Sequence, residues 1–178
     1  DNSLDAIEEN ANEGVDSVRS SVNYTLAANV EHLTLTGSAA INATGNTLNN
    51  TLAGNNSQNV LIGDAGNDTL NGSGGADILL GGEGNDVFLF DALDLTIAGT
   101  RWDGGADSDT LRFSGGGKLL DLTNLSDERA IGIETVDLTG SGNNKLAVSA
   151  NDVKALSDTD ALRVDGNTGD VATIVDSG

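Results

Sequence analysis

Residues 63–89 read GDAGNDTLNGSGGADILLGGEGNDVFL and divide into three blocks of nine. Each block opens on glycine (Gly63, Gly72, Gly81), carries Asp in sixth place (Asp68, Asp77, Asp86) and a large apolar residue in eighth (Leu70, Leu79, Phe88). The ruler extends upstream: GNTLNNTLA from Gly45 and GNNSQNVLI from Gly54 keep the glycine and the apolar eighth place (Leu52, Leu61), but Asn50 and Asn59 stand in the sixth. Glycine in the first half of a block supplies positive φ and room for close backbone approach, so this half reads as a tight turn whose carbonyls can face inward. The second half, such as Thr69-Leu70 or Val87-Phe88, reads as a very short strand with its large side chain turned into a core. Two blocks close one turn of a flattened solenoid, and because one block cannot bury its own apolar face, neighbouring coils must stack.

Stacked coils lie about 4.8 Å apart, so Asp68 faces Asp86 two blocks later. Two carboxylates that close, with turn carbonyls converging on the same gap, repel strongly unless a cation lies between them. Hard oxygen ligands, several from backbone, suit calcium better than zinc or copper, and magnesium, with its tight octahedron and retained waters, fits less well.

These columns resemble the GGxGxDxUx nonapeptide of the repeats-in-toxin (RTX) family, a pattern associated with calcium. The resemblance implies an all-β, right-handed parallel β-roll, or β-solenoid, with calcium bound between turns. Each ion takes the carbonyls of places two and four and the Asp of one block. The block one coil later adds the carbonyls of places one and three and its own Asp. Carried onto this chain, one site uses Asp64, Gly66 and Asp68 with Gly81, Glu83 and Asp86. A second, on the opposite edge, uses Gly72, Gly74 and Asp77 with Asn55, Ser57 and Asn59. A third joins Gly63, Ala65 and Asp68 to Asn46, Leu48 and Asn50; sites that depend on the uncharged Asn50 or Asn59 are expected to hold metal weakly or not at all. A later block, GGADSDTLR from Gly104, has Asp107 in fourth place yet puts Asp109 and Leu111 in the expected columns. One coil plus a five-residue bulge separates it from Gly81, which brings Gly82, Gly84 and Asp86 over Gly104, Ala106 and Asp109 for another ion.

Composition agrees with a thin core: 24 Gly, 20 Asn and 21 Asp leave few residues for a broad one. A net charge of −20 opposes compaction and argues against nucleic acid or anionic membrane as partner. A merely solvated acidic surface has no reason to prefer Asp to Glu, yet there are 21 Asp and seven Glu, a bias that a metal-binding turn explains. There is no Cys, hence no disulfide or thiolate site, and no apolar run long enough to span a membrane. The chain begins mid-pattern at Asp1 without Met and is expected to be part of something larger.

Three segments are expected: N-terminal solenoid coils over 1–44, the nonapeptide roll over 45–90, and a C-terminal extension over 91–178 holding the 104–112 repeat and capping strands. VNYTL and VEHLTL alternate as short strands, and VEHLTLTGS (30–38) aligns without a gap to IETVDLTGS (133–141). Further strands are expected at Thr110–Phe113, Lys118–Leu122, Lys145–Val148, Ala161–Val164 and Val171–Val175. Ser149 and Asp152 suggest a capping box opening one helical turn through Leu156 that caps the solenoid. Asp165 and Asp170 sit in VDGNTGDV, read as a plain Asn/Gly turn with a further cation as the alternative.

No catalytic set presents itself. His32, the only histidine, falls at an outward-alternating position with no Cys to partner it, and the best carboxylate pairs are explained as metal ligands. GGEGND is superficially like a dinucleotide loop, but it recurs every nine residues with no helix after it. Trp102 reads as a packing residue, with sugar stacking as the alternative. The expectation is a non-catalytic calcium-binding module of a larger secreted bacterial protein, possessing no nucleic-acid partner and folding outside the cell after type I export. The alternatives are an adhesive module for a glycan or cell-surface ligand, and an accessory module of a secreted protease, lipase or polysaccharide lyase or epimerase.

Overall fold

A computed structural model of the 178-residue chain describes residues 9–10, 14–90, 94–117, 119–123, 126, 128–159 and 161–175. Short strands follow one another as β1 (Ser17–Ser20), β2 (Tyr24–Thr25), β3 (His32–Leu35), β4 (Ala43–Thr44), β5 (Thr51–Ala53) and β6 (Val60–Ala65). They continue as β7 (Thr69–Asn71), β8 (Ile78–Glu83), β9 (Val87–Phe90), β10 (Arg101–Ala106), β11 (Thr110–Phe113) and β12 (Leu119–Asp121). The chain ends with β13 (Ala130–Ile131), β14 (Thr135–Asp137), β15 (Lys145–Val148), helix α1 (Ala150–Leu156), β16 (Arg163–Asp165) and β17 (Val171–Ile174).

From β1 to β11 successive strands alternate between two faces. One sheet runs β1-β3-β5-β7-β9-β11-β14-β16, the second β2-β4-β6-β8-β10-β13, and a third β12-β15-β17. Every pairing is parallel, as in a stack of coils. The expected all-β parallel solenoid is therefore the fold, and β3–β5 and β9–β11 pairing carries one sheet through all three segments of the chain.

The register measures the coil. Thr51 pairs with Thr69 and Thr69 with Val87, 18 residues further each time. Val87 then pairs with Thr110, the expected step of 23, and the extra residues fall in the loop between β9 and β10. Later steps lengthen to 25 (Thr110 to Thr135) and 28 (Thr135 to Arg163), where α1 is inserted.

The eighth-place column is the core. Val18, Leu33, Leu52, Leu70, Phe88, Leu111 and Val136 line the first sheet's inner face, opposite Ala43, Leu61, Leu79, Trp102 and Ala130. At the 23-residue coil the core fills with rings: Trp102 and Phe113 flank Phe90 with centroids 5.9 and 5.4 Å away. Trp102 is 1% exposed, so it packs and presents no face to a sugar. Phe88 is fully buried between Leu70 and Leu111. Truncation to Ala is expected to cost about 3–5 kcal/mol, read as a lower melting temperature of the metal-loaded chain.

The α1 capping box is present: Asp152 N–H donates to Ser149 Oγ (3.2 Å) and Ser149 N–H to Asp152 Oδ2 (2.5 Å). The helix packs on β13, the last strand of the second sheet, and Ile133 N–H donates to Leu156 O, so it covers that open edge. β11 and β15 have the expected bounds. β17 ends one residue early at Ile174, and the strand expected at Ala161–Val164 lies at Arg163–Asp165, where Val136 and Asp137 supply its partners. Lys118 lies outside the described residues, and β12 begins at Leu119. No helix among the described residues is long and apolar enough to cross a membrane.

Candidate metal centre

The turns entering the first sheet stack along one edge of the solenoid, at 63–68, 81–86 and 104–109; those at 54–59 and 72–77, entering the second sheet, stack along the other. In four blocks, places two and four are both left-handed: Asp64 and Gly66, Ser73 and Gly75, Gly82 and Gly84, Gly105 and Asp107. This directs their carbonyls at the next coil. A Cβ on Gly82 would strike Asp64 O, one on Gly84 would strike Gly66 O, and one on Gly105 would strike Gly82 O. Holding Asp64, Ser73 and Asp107 in this region costs of order 1–3 kcal/mol each, a strain that persists where the surroundings impose it.

The sixth-place carboxylates form a ladder. Asp68 Oδ1 accepts from Asn50 N–H (2.7 Å), Asp86 Oδ1 from Asp68 N–H (2.8 Å) and Asp109 Oδ1 from Asp86 N–H (2.7 Å). On the other edge Asp77 Oδ1 accepts from Asn59 N–H (2.8 Å). Asp68 and Asp86 are 1% exposed and Asp109 0%, and the second oxygen, Oδ2, of all three has no hydrogen-bond partner. Burial therefore pushes the Asp68 carboxyl up to about 6, against the Asn50 N–H bond and with help from Asp64. Burial does the same to Asp77, also to about 6, opposed by the Asn59 N–H bond and reinforced by Asp94. Asp86 and Asp109 rise to about 7, each first through burial, with neighbouring carboxylates adding to it.

Each orphaned Oδ2 points at the missing Cβ of its own first-place glycine, and so does the first-place carbonyl of the next coil. A Cβ on Gly63 would strike Asp68 Oδ2 and lie 2.5 Å from Gly81 O. One on Gly81 would strike Asp86 Oδ2 and Gly104 O. Two electron-rich oxygens thus share a cradle with no donor between them. Among the described residues no three acidic or imidazole side chains gather around one point, so main-chain carbonyls must supply much of any ligand set. Hard, partly anionic oxygens from backbone and Asp fit calcium. The first-edge residues named from the sequence are brought together: Asp64 is Cα partner to Gly82, Ala65 to Glu83, Gly82 to Gly105 and Glu83 to Ala106. Glu83 O accepts from Gly66 N–H (2.9 Å), leaving one lone pair for a cation. The Gly81→Ala variant is expected to lose calcium affinity at the gap between Asp86 and Asp109, measured by calorimetric titration, since its Cβ occupies the cradle of Asp86 Oδ2 and Gly104 O.

The Asn blocks are built differently. Neither has a left-handed residue; Asn46 Oδ1 accepts from Leu48 N–H and Asn55 Oδ1 from Ser57 N–H, both at 2.9 Å. The amide nitrogens reach back to the previous coil: Asn50 Nδ2 to Val30 O (3.2 Å), Asn59 Nδ2 to Ile41 O (2.6 Å), Asn46 Nδ2 to Ala27 O and Val30 O. Asn50 Oδ1 and Asn59 Oδ1 already accept from Asn46 and Asn55 N–H. Side-chain N–H donors thus satisfy carbonyls that a cation would otherwise gather. Gly72 O lies 2.5 Å from a Cβ on Gly54, as does Asn59 Oδ1, and Gly74 meets nothing closer than 3.5 Å.

Two features escaped the sequence reading. Asn49, Asn67 and Asn85, spaced by 18 in fifth place, form a neutral ladder beside the Asp one: Asn67 N–H to Asn49 Oδ1, Asn85 N–H to Asn67 Oδ1, Ser108 N–H to Asn85 Oδ1. Arg129 donates to the carbonyls of Thr100, Leu95, Asp94 and Ile97 and sits over the Trp102 ring, so a guanidinium gathers the carbonyls of the long loop on the second edge. The recurrence of Asn every 18 residues was a readable signal; nothing local marks Arg129. His32 is half-buried on the outer side of β3. Asp170 accepts from Asn144 and Asn167 N–H and Asp165 pairs with Arg163, in keeping with a plain turn.

Residues 44–79 and 53–88 match the family model of the RTX calcium-binding nonapeptide repeat, described as four copies. The segment 44–88 therefore carries RTX calcium-binding repeats, of the kind typical of secreted bacterial proteins. No curated protein and no solved structure matches the chain.

Proposed function

We propose that this chain is a non-catalytic module of a larger secreted bacterial protein that folds when it meets calcium outside the cell. The observation that carries it is the stack of buried Asp68, Asp86 and Asp109, each with one carboxylate oxygen lacking any partner. Bound calcium would supply positive charge between successive rungs and would take as ligands the carbonyls that otherwise face one another. Asp68 and Asp86, with the carbonyls of Asp64, Gly66, Gly81 and Glu83, would hold a first ion; Asp86 and Asp109, with the carbonyls of Gly82, Gly84, Gly104 and Ala106, would hold a second.

Without a cation the rungs oppose folding. Keeping Asp68 ionised against a carboxyl raised from 3.8 to about 6 costs about 3 kcal/mol. Asp77, Asp86 and Asp109 are raised by burial in the same way and add to this cost, against the roughly 5–15 kcal/mol by which a whole domain is stable. Metal binding and folding are then one event. Extracellular calcium modules bind at roughly 10⁻⁴ to 10⁻³ M, so the chain stays unfolded in the cytosol, threads a type I export channel and folds beyond it, which also biases it against sliding back. Small-angle scattering tests this. In chelator the radius of gyration approaches the roughly 45 Å of an unfolded chain this long, and in millimolar calcium it falls to below about half of that. A compact chain in chelator removes the basis for calcium-timed folding.

A further inference from the structure

The ladder does not stop where the nonapeptide pattern stops. Asp109 N–H, in place of a bond to another Asp, donates to Glu134 Oε2 at 2.9 Å. Glu134 precedes β14 just as Asp109 precedes β11, and Thr110 pairs with Thr135, so Glu134 occupies the sixth-place rung of the next coil. Asp103 pairs with Ile131, so Gly132 follows as the counterpart of Gly104. The turn between them has shrunk to Gly132-Ile133-Glu134, and the longer side chain of Glu makes up the reach. Glu31, the aligned residue in the duplicated VEHLTLTGS unit, makes the same bond to Asp16 N–H (2.8 Å), so a Glu rung is a recurring device of this edge.

The oxygen cradle is repeated here too. A Cβ on Gly104 would strike both Asp109 Oδ2 and Gly132 O, the arrangement found at Gly63 and Gly81. Asp109 is wholly buried and its Oδ2 is unpartnered. Gly132 is left-handed (φ 62°), and Gly105 packs against it, with N and O 3.1 and 3.4 Å from where the Gly132 Cβ would stand. The remaining Glu134 oxygen, Oε1, has only a 3.5 Å contact with Ser157 Oγ.

We infer that Asp109, Glu134 and the carbonyls of Gly132 and Gly105 form a further calcium site, outside the matched repeats, that closes the ladder at its C-terminal end. It rests on the calcium-binding reading of the rungs before it. Its role is to tie the irregular 25-residue coil to the roll through the same cation chemistry, where no nonapeptide remains to do so.

Crystals of the full chain grown in calcium, with anomalous difference maps, give the direct test. A peak about 2.3–2.6 Å from Asp109 Oδ2 and Gly132 O is expected. A peak between Asp68 and Asp86 with none at Asp109–Glu134 overturns this site while leaving the calcium-binding function; no peak at either overturns both. In solution, Glu134→Gln, which keeps an acceptor for Asp109 N–H, is expected to bind one calcium fewer than the unaltered chain by equilibrium dialysis and elemental analysis. An unchanged count, with unchanged affinities, contradicts the proposal.

Discussion

In the Asp86→Asn variant the calcium concentration needed for folding rises by on the order of 10- to 100-fold or more, the loss typical even of an outer-shell partner to a metal. Asp86 stands at the centre of the ladder. Its Oδ1 accepts from Asp68 N–H, its own N–H donates to Asp109 Oδ1, and its orphaned Oδ2 shares a cradle with Gly104 O. One substitution therefore removes charge from both flanking gaps. The same variant should be more folded than the parent in chelator, because a buried carboxyl raised to about 7 is replaced by a neutral amide. Asn50 and Asn59 show what that amide does in this fold: its nitrogen donates to a carbonyl of the preceding coil. Opposite signs with and without calcium, measured by chemical denaturation in each condition, separate loss of a ligand from simple damage, which lowers stability in both.

Acidification should fold the metal-free chain. The carboxyls of Asp68 and Asp77 are raised to about 6, and those of Asp86 and Asp109 to about 7, from 3.8. A carboxyl raised on folding favours the native state while protonated. Its contribution is complete below about pH 4 and is lost as pH climbs through 6 to 7. In chelator, stability is thus lowest near pH 8 and grows toward pH 4–5, and relief of the overall negative charge acts in the same direction. In saturating calcium the dependence reverses, since protons compete with the cation for the same oxygens. Thermal melts across that range in both conditions check the crossing; a chelated chain that loses structure on acidification contradicts the ladder's energetics.

Much of this was legible because the physics repeats. The nine-residue ruler places Leu52, Leu70 and Phe88 in one sheet and Leu61 and Leu79 in the other, and the two sheets follow from that alternation alone. The step from Gly81 to Gly104 could be read as a coil plus a bulge because Asp109 and Leu111 kept their columns. Past that point the columns dissolve. Glu134 is a different residue type, in a turn three residues long, and it takes the Thr110–Thr135 pairing and the Asp109 N–H bond to show that it continues the Asp column. Arg129 acts across about 30 residues of chain on carbonyls that belong to no motif. Which turns use the left-handed pair was also hidden: Ser73 and Asp107 adopt it without being glycine, whereas the Asn blocks turn on their own side chains.

The most direct measurement is far-ultraviolet circular dichroism through a calcium titration at about pH 8, where the ladder is ionised. A steep rise of β-sheet signal from a largely disordered chelated state, centred near 10⁻⁴ to 10⁻³ M, is the predicted result. A full β-sheet spectrum in excess chelator, unaltered by calcium, would show that the buried Asp ladder folds without a cation and contradict the account.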